Sequence, residues 1–276
     1  GYCKFWVYFF SMILVADNLH IMNPNVAKAL KEKDPLPLQR IAERCKEANV
    51  YAMDINLGPL KRNTEGVITF VIEAVQDIFG GRLLLDSVQP EVLKAGIAAC
   101  KRPPIINGFS LEEAKMSFIL PLAAEYQTEI IGFLINEKGQ VPITAEGRLE
   151  VASRLLAKAE ECGIPLERVI IDPVLVPLTW QDGTRYNHEF LEVIHLLPQL
   201  SEKPIRTIAG LSNLGASSPD RAARATVEAT FIHMLAALKL NYILMDITHK
   251  KALNALNLSQ LLLGNKVFAW EEVKSG

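Results

Sequence analysis

An alternation of short apolar runs with longer amphipathic segments, repeated about eight times along the 276-residue chain, predicts an α/β protein folded as a single-domain (β/α)8 barrel. Three observations carry this. The apolar runs are short and apolar throughout, as parallel strands buried on both faces must be. The segments between them have helical spacing. No interior linker, repeat or low-complexity tract divides the series. An open doubly wound sheet is the competing architecture, but it calls for a glycine-rich turn after the first strand, and "VADNLHIMNPN" has no glycine.

The strands are expected at "MILVADN" (12–18), "VYAMDIN" (50–56), "RLLLDS" (82–87), "PIING" (104–108) and "EIIGFLIN" (129–136). "RVIID" (168–172), "IRTIAGLSN" (205–213) and "NYILMDI" (241–247) follow. Between strands, "PLPLQRIAERCKEANV" places Leu38, Ile41, Cys45 and Ala48 on one helical face. "PEVLKAGIAACK" opens with Pro90, a residue suited to a first helical turn. "EGRLEVASRLLAKAEECGIP" stops at Gly163 and Pro165. "PDRAARATVEATFIHMLAALKL" and "HKKALNALNLSQLLLG" complete the helices. The apolar, aromatic opening "GYCKFWVYFFS" has neither the basic region nor the cleavage site of a secretory signal. Residues 1–11 are therefore set aside as a non-native or disordered extension, and the barrel is expected over 12–276.

Composition narrows the function. Lys and Arg number 29 against 31 Asp and Glu, so no basic footprint for nucleic acid or a membrane surface exists. The four cysteines are far apart and form no C-x-x-C, which fits a reducing cytoplasm better than a disulfide or zinc scaffold. Every apolar run is broken too early to span a membrane.

In a barrel, the C-terminal strand ends build the site. Those ends carry Asp17 and Asn18, Asp54 and Asn56, Asp86, Asn107, Asn136, Asp172, Ser212 and Asn213, and Asp246, with no Lys, Cys or His among them. Asp and Asn also serve as turn and cap residues, and any one position has that simpler explanation. As a ring they suit a flat, polar, amide-rich ligand: carboxylates accept from N–H and NH₂ groups, and amides both donate and accept. The five histidines lack H-x-x-x-H or H-E-x-x-H spacing, so no metal site is expected. No lysine ends a strand for a Schiff base, and no G-x-S-x-G elbow is present. His249 reads as a solvated first-turn residue, and Trp180 as an anchor that packs down the long loop after the sixth strand.

Five stretches in register, "MDINLGP" (53–59), "LLLDS" (83–87), "IINGF" (105–109), "IIDPVLVP" (170–177) and "GLSNLG" (210–215), resemble the pterin-binding methyltransferases. These exchange a methyl group between tetrahydrofolate and a corrinoid protein, in a barrel family that also includes dihydropteroate synthase. The resemblance spans most of the chain from Met12. It implies that Asp86, Asn107 and Asp172 hydrogen-bond the pterin ring and that Asn213 sits near the N5 carrying the methyl group. Asp54, Asn56, Asn136 and Ser212 are implied in the same substrate-binding set, and Arg221 near the folate tail, against the simpler reading of Arg221 as a solvated charge. Implied too are a corrinoid carried by a partner protein and a homodimer, for which the apolar helix at 221–240 offers surface.

Two details place the chain within that family. Synthases carry a basic pair after the serine of the seventh-strand motif to handle diphosphate; here Asn213–Leu214 stands instead. The first strand of such methyltransferases ends in a Gly-Glu-Arg-like motif, whereas this chain has "VADNLHIMNP", a departure that suits a different corrinoid partner, as in O-demethylation systems. The acetyl-CoA pathway enzyme is the near alternative. Dihydropteroate synthase and a non-catalytic pterin-binding module are the competing readings.

Overall fold

Eight parallel strands pair in chain order, and the eighth pairs with the first, closing a barrel. The computed structural model describes residues 11–264 and 268–273. The expected extension lies outside them except for Ser11. The strands are β1 (Ile13–His20), β2 (Ala52–Asn56), β3 (Arg82–Asp86), β4 (Ile105–Phe109), β5 (Glu129–Phe133), β6 (Val169–Asp172), β7 (Arg206–Gly210) and β8 (Tyr242–Met245). The helices are α1 (Pro24–Glu32), α2 (Leu36–Glu47), α3 (Thr64–Gln76), α4 (Pro90–Ala99), α5 (Glu113–Glu125), α6 (Ala145–Glu161), α7 (Gly183–Leu196), α8 (Arg221–Ala237) and α9 (Lys250–Leu263). The (β/α)8 expectation holds, with one addition: the β1–β2 crossover carries two helices, the first capped by the Asn23 side chain on Asn25 N at 3.1 Å.

Successive strand residues face opposite ways, and this sorts the core. Val15, Ala52, Leu84, Ile105, Ile131, Ile170, Ile208 and Tyr242, one from each strand, form a cluster inside the barrel. The alternate residues, among them Met53, Leu85, Ile106, Ile171 and Ile243, join the helices in a larger outer cluster. Each fully buried aliphatic contributes about 1.5–3 kcal/mol. Below the inner cluster, Glu129 sits between Arg82 and Arg206, and Tyr51 and Tyr242 accept from those guanidiniums at 3.3 Å each. This charged plug seals the barrel floor away from the strand C-termini.

Two register shifts mark the other end. Between Ala16 and Leu19, β1 has one more residue than β2, and between Asn107 and Phe109, β4 has one more than β5. Such bulges re-aim side chains at barrel rims. The first shift lets β1 run on to His20, so a histidine does stand at a strand end. Two further expectations need correction. Asn136 lies three residues past β5, in a turn. Ser212 and Asn213 lie on a 3₁₀ turn (Leu211–Asn213) after β7, because Gly210 ends the ladder.

Candidate functional site

Moving two residues along each strand from the inner cluster keeps the side chain pointing inward. That step turns Val15 into Asp17, Ala52 into Asp54, Leu84 into Asp86, Ile105 into Asn107 and Ile170 into Asp172. Apolar packing thus gives way, in a single layer, to a ring of carboxylates and one amide at the barrel mouth. Strand periodicity puts Asp54, Asp86 and Asp172 there, while Asp17 and Asn107 stand at the register shifts of β1 and β4.

The ring crowds negative charge away from water. Asp54 is 3 % exposed; burial and the neighbouring Asp86 and Asp17 carboxylates raise its pKa well above the ordinary range. Its Oδ1 is buried without a hydrogen-bond partner, although the Asn107 side chain lies within reach of the carboxyl. Burial, then the Asp17 charge, pushes Asp86 up to about 6, with Lys115 on α5 opposing. Asn56 Nδ2 donates to Asp86 Oδ2 at 2.6 Å, and Asn56 Oδ1 accepts from Gly58 N at 3.2 Å. Burial pushes Asp172 up to about 7 against the pull of Val174 N, which donates to Oδ1 at 2.7 Å, and of Arg148. Buried carboxylates with spare acceptor capacity match a ligand that brings several N–H donors. A pterin ring is such a ligand, so the residues present fit it.

Other expected residues are placed differently. The Asn136 Oδ1 accepts from Lys138 N at 2.9 Å and Gln140 N at 3.0 Å, so the amide is occupied in ordering its own turn and only its Nδ2 is free for a ligand. Ser212 is within hydrogen-bonding reach of Asp17, whose pKa burial raises. Asn213 is exposed and its amide has no partner among the described residues. Arg221 is exposed at the first position of α8. Asn18 Nδ2 donates to Asp246 Oδ1 at 2.5 Å and ties β1 to the end of β8. Burial alone would raise Asp246, but Thr248 N and Oγ1, at 2.8 and 2.7 Å, together with Asn18 hold it below its usual range. Trp180 is 54 % exposed and stands edge-to-face with Tyr186, ring centroids 6.4 Å apart, so the loop is anchored to α7 by a largely exposed side chain.

Charged residues that the strand ends do not reveal support this ring. Arg148, fully buried on α6, donates to Pro142 O, Pro173 O and Tyr186 O at 2.8, 3.1 and 2.9 Å, fixing the turn after Asp172. Lys115 faces Asp86 and bonds Glu112 at 2.8 Å. Glu228, 1 % exposed on α8, binds Arg224 at 2.7 Å and His249 at 3.1 Å. His249, a third of whose side chain stays in solvent, is thus also tied to α8 from its place at the α9 N-cap. A signal existed for two of them: Arg148 and Glu228 each occupy the apolar stripe of their helix, beside Val151 and Ala152 or Ala229 and Ile232. No strand-end pattern marks the buried Asn187, which accepts from Val176 N, donates to Val176 O and Gly183 O, and holds the β6–α7 loop.

Among the described residues, no three His, Cys, Asp or Glu side chains stand where they could share a metal ion. No helix there is long and apolar enough to cross a membrane.

The fold and the site together describe a closed (β/α)8 barrel whose mouth is lined by inward carboxylates and amides, groups suited to a ligand rich in N–H donors. The chain belongs to the pterin binding enzymes, whose family profile matches residues 60–245. A protein of Eubacterium limosum named methylcorrinoid:tetrahydrofolate methyltransferase is 28% identical over 258 residues, spanning 92% of each chain. A dihydropteroate synthase of Xanthomonas albilineans, solved with 4-aminobenzoic acid, superposes with a TM-score of 0.66 at 18% identity over 93% of each chain. A dihydropteroate synthase of Thermus thermophilus, in complex with 6HMPPP, gives 0.64 at 16% identity over 91% of this chain and 94% of its own. At such identities the likeness to the two synthases is one of fold.

Proposed function

We propose that this protein moves a methyl group between N5 of tetrahydrofolate and the cobalt of a corrinoid held by a partner protein. The observation that carries the reading is the inward layer of Asp86, Asn107 and Asp172 beside a turn that presents Asn213 as a free amide. In this reading the layer holds the pterin through its N–H, amino and carbonyl groups, with Asp54, Asn56 and Ser212 extending the network. The Asn213 Nδ2–H donates to N5. As the methyl group leaves, N5 keeps the electron pair of the broken N–CH₃ bond and takes up a proton from solvent; the Asn213 bond strengthens while that charge builds, which stabilises the transition state more than the ground state. The E. limosum relative supports the substrate pair by its name.

Diphosphate chemistry is disfavoured at the same turn. Leu214, 1 % exposed, points into the core where a synthase would need a cation. The nearby Arg224 is offset by Glu228 and Asp17. Exposed apolar residues on the loops around the mouth, Met22, Val88, Leu178 and Trp180, supply surface for a partner protein to dock. Exposed Val227 and Met234 on α8 support the expected homodimer. The free Cys45, Cys100 and Cys162 agree with a reducing cytoplasm. The reading places the reaction in O-demethylation or acetyl-CoA pathway one-carbon metabolism; one site serves both directions.

The test is anaerobic mixing with methyltetrahydrofolate and photoreduced cob(I)alamin, followed by the visible spectrum of methylcobalamin. Methylcobalamin should form, at least tenfold more slowly in Asn213→Ala. Absence of exchange with the free corrinoid and with candidate corrinoid proteins alike would sink the reading.

A further inference from the structure

The residue next but one to Asn213 is Gly215, and its lack of a side chain is a matter of space, because its φ lies outside the left-handed region. A Cβ built there would fall 2.6 Å from Arg224 Cγ, 2.8 Å from Nε and 2.9 Å from Cδ. The Arg224 stem therefore lies directly against the backbone of the turn that carries Ser212 and Asn213. Arg224 is held in that place by Glu228, whose Oε1 takes its Nε at 2.7 Å. The second Glu228 oxygen lies 3.1 Å from His249 Nδ1, so both oxygens of this buried carboxylate are engaged. His249 Nε2 in turn lies 3.6 Å from Asp246 Oδ2, and Asp246 is fixed by Asn18. On the other side of the turn, Ser212 is within reach of Asp17. Backbone bonds from Leu214 N to Leu211 O and from Ala216 N to Asn213 O, both 3.1 Å, shape the turn itself.

Asn213 is thus carried by a turn gripped from two sides while its own amide is unpartnered. We infer that Glu228 is a positioning residue for Asn213, acting through the Arg224 side chain laid across Gly215. This rests on the methyl-transfer reading, in which the Asn213 amide must meet N5. A charge-neutral pair of a half-buried arginine and a buried glutamate behind the turn suits this task. It stiffens the turn without adding net charge beside a reacting amine, and a long side chain against bare backbone leaves the turn no room to retreat. An angstrom of slack at Asn213 is enough to lose a large rate factor, while pterin affinity changes little because Asp86, Asn107 and Asp172 on the strands carry most of it.

The test uses single-turnover methyl transfer to cob(I)alamin beside equilibrium binding of methyltetrahydrofolate. Glu228→Gln keeps the shape and one acceptor but loses the charge; Gly215→Ala forces Arg224 off the turn. Each is expected to slow transfer at least tenfold with the folate Kd within threefold of wild type, a split that general loosening of the fold would not give. A cycle separates cause from coincidence: in an Arg224→Ala background, Gly215→Ala should cost less than twofold more, since the side chain it collides with is gone. Equal losses from Gly215→Ala with and without Arg224, or full rate in Glu228→Gln, would overturn the inference. Asn213→Ala is run in parallel. If it transfers at the wild-type rate, the reading of the site fails; if it is slow while Glu228→Gln and Gly215→Ala are fast, this inference alone fails. Should Glu228→Gln not fold, the glycine–arginine cycle decides.

Discussion

Replacing Asp172 by asparagine should make the ligand-free protein more stable and weaken its hold on the ligand, and the size of the first effect follows from burial. Asp172 is 8 % exposed, and its pKa stands at about 7 against 3.8 in an unfolded chain. A folded pKa raised above the unfolded one means that the native state binds more protons between those values, so stability falls as pH rises across that window. Three units correspond to about 4 kcal/mol, fully felt above pH 7. At pH 5 the unfolded carboxyl is already ionised while the native one is not, and linkage puts the loss there at about 1.6 kcal/mol. About 2.5 kcal/mol therefore arrives between pH 5 and pH 8. Asp172→Asn retains the Oδ1 that accepts from Val174 N but does not titrate. Its advantage in Tm over wild type should grow by about 5 °C from pH 5 to pH 8, at ~2 °C per kcal/mol for a chain of this length. Meanwhile its folate affinity should drop ~10–100-fold, the worth of a hydrogen bond to a charged group. Thermal unfolding at the two pH values, with binding titrations beside it, measures both. A Tm difference that does not change with pH would refute the argument that the buried charge is the source of the cost.

Other outcomes follow from the same geometry. A pterin that donates N–H groups to Asp86 and Asp172 favours their ionised forms, so binding at pH 6 should release about one proton and binding at pH 8 almost none; titration calorimetry in buffers of different ionisation enthalpy reads this, and no buffer dependence at pH 6 would contradict it. Arg148→Met strips three carbonyls of their donor and should cost about 3 kcal/mol or more in urea unfolding, with weaker folate binding as the turn after Asp172 loosens. Gly108→Ala would set a methyl group 2.4 Å from Ile131 O, a backbone atom of the adjacent strand that cannot step aside, and should cost more than about 3 kcal/mol or prevent folding.

Much of this molecule is set by patterns local to the sequence. The eightfold alternation of apolar runs with amphipathic helices predicts the barrel, and the two-residue period of the strands, with apolar Leu84 followed by Asp86 and Ile170 by Asp172, aims the polar layer into its mouth, because side-chain alternation is a property of the extended backbone itself. The helices follow equally from local spacing, as the buried Leu38, Ile41 and Cys45 of α2 illustrate. What the tertiary structure alone decides is which polar groups find partners. The Asn136 amide turns to its own loop, His249 is captured by Glu228, and Asn18 meets Asp246 across 228 positions of chain. An arginine or glutamate inside an apolar helical stripe reads as a conflict until another element supplies its partner: three carbonyls for Arg148, a guanidinium and an imidazole for Glu228. Periodicity follows from bonded geometry and can be read along one strand or helix. The pairing of buried charges depends on elements that closing the barrel brings together, and no local pattern encodes that distance.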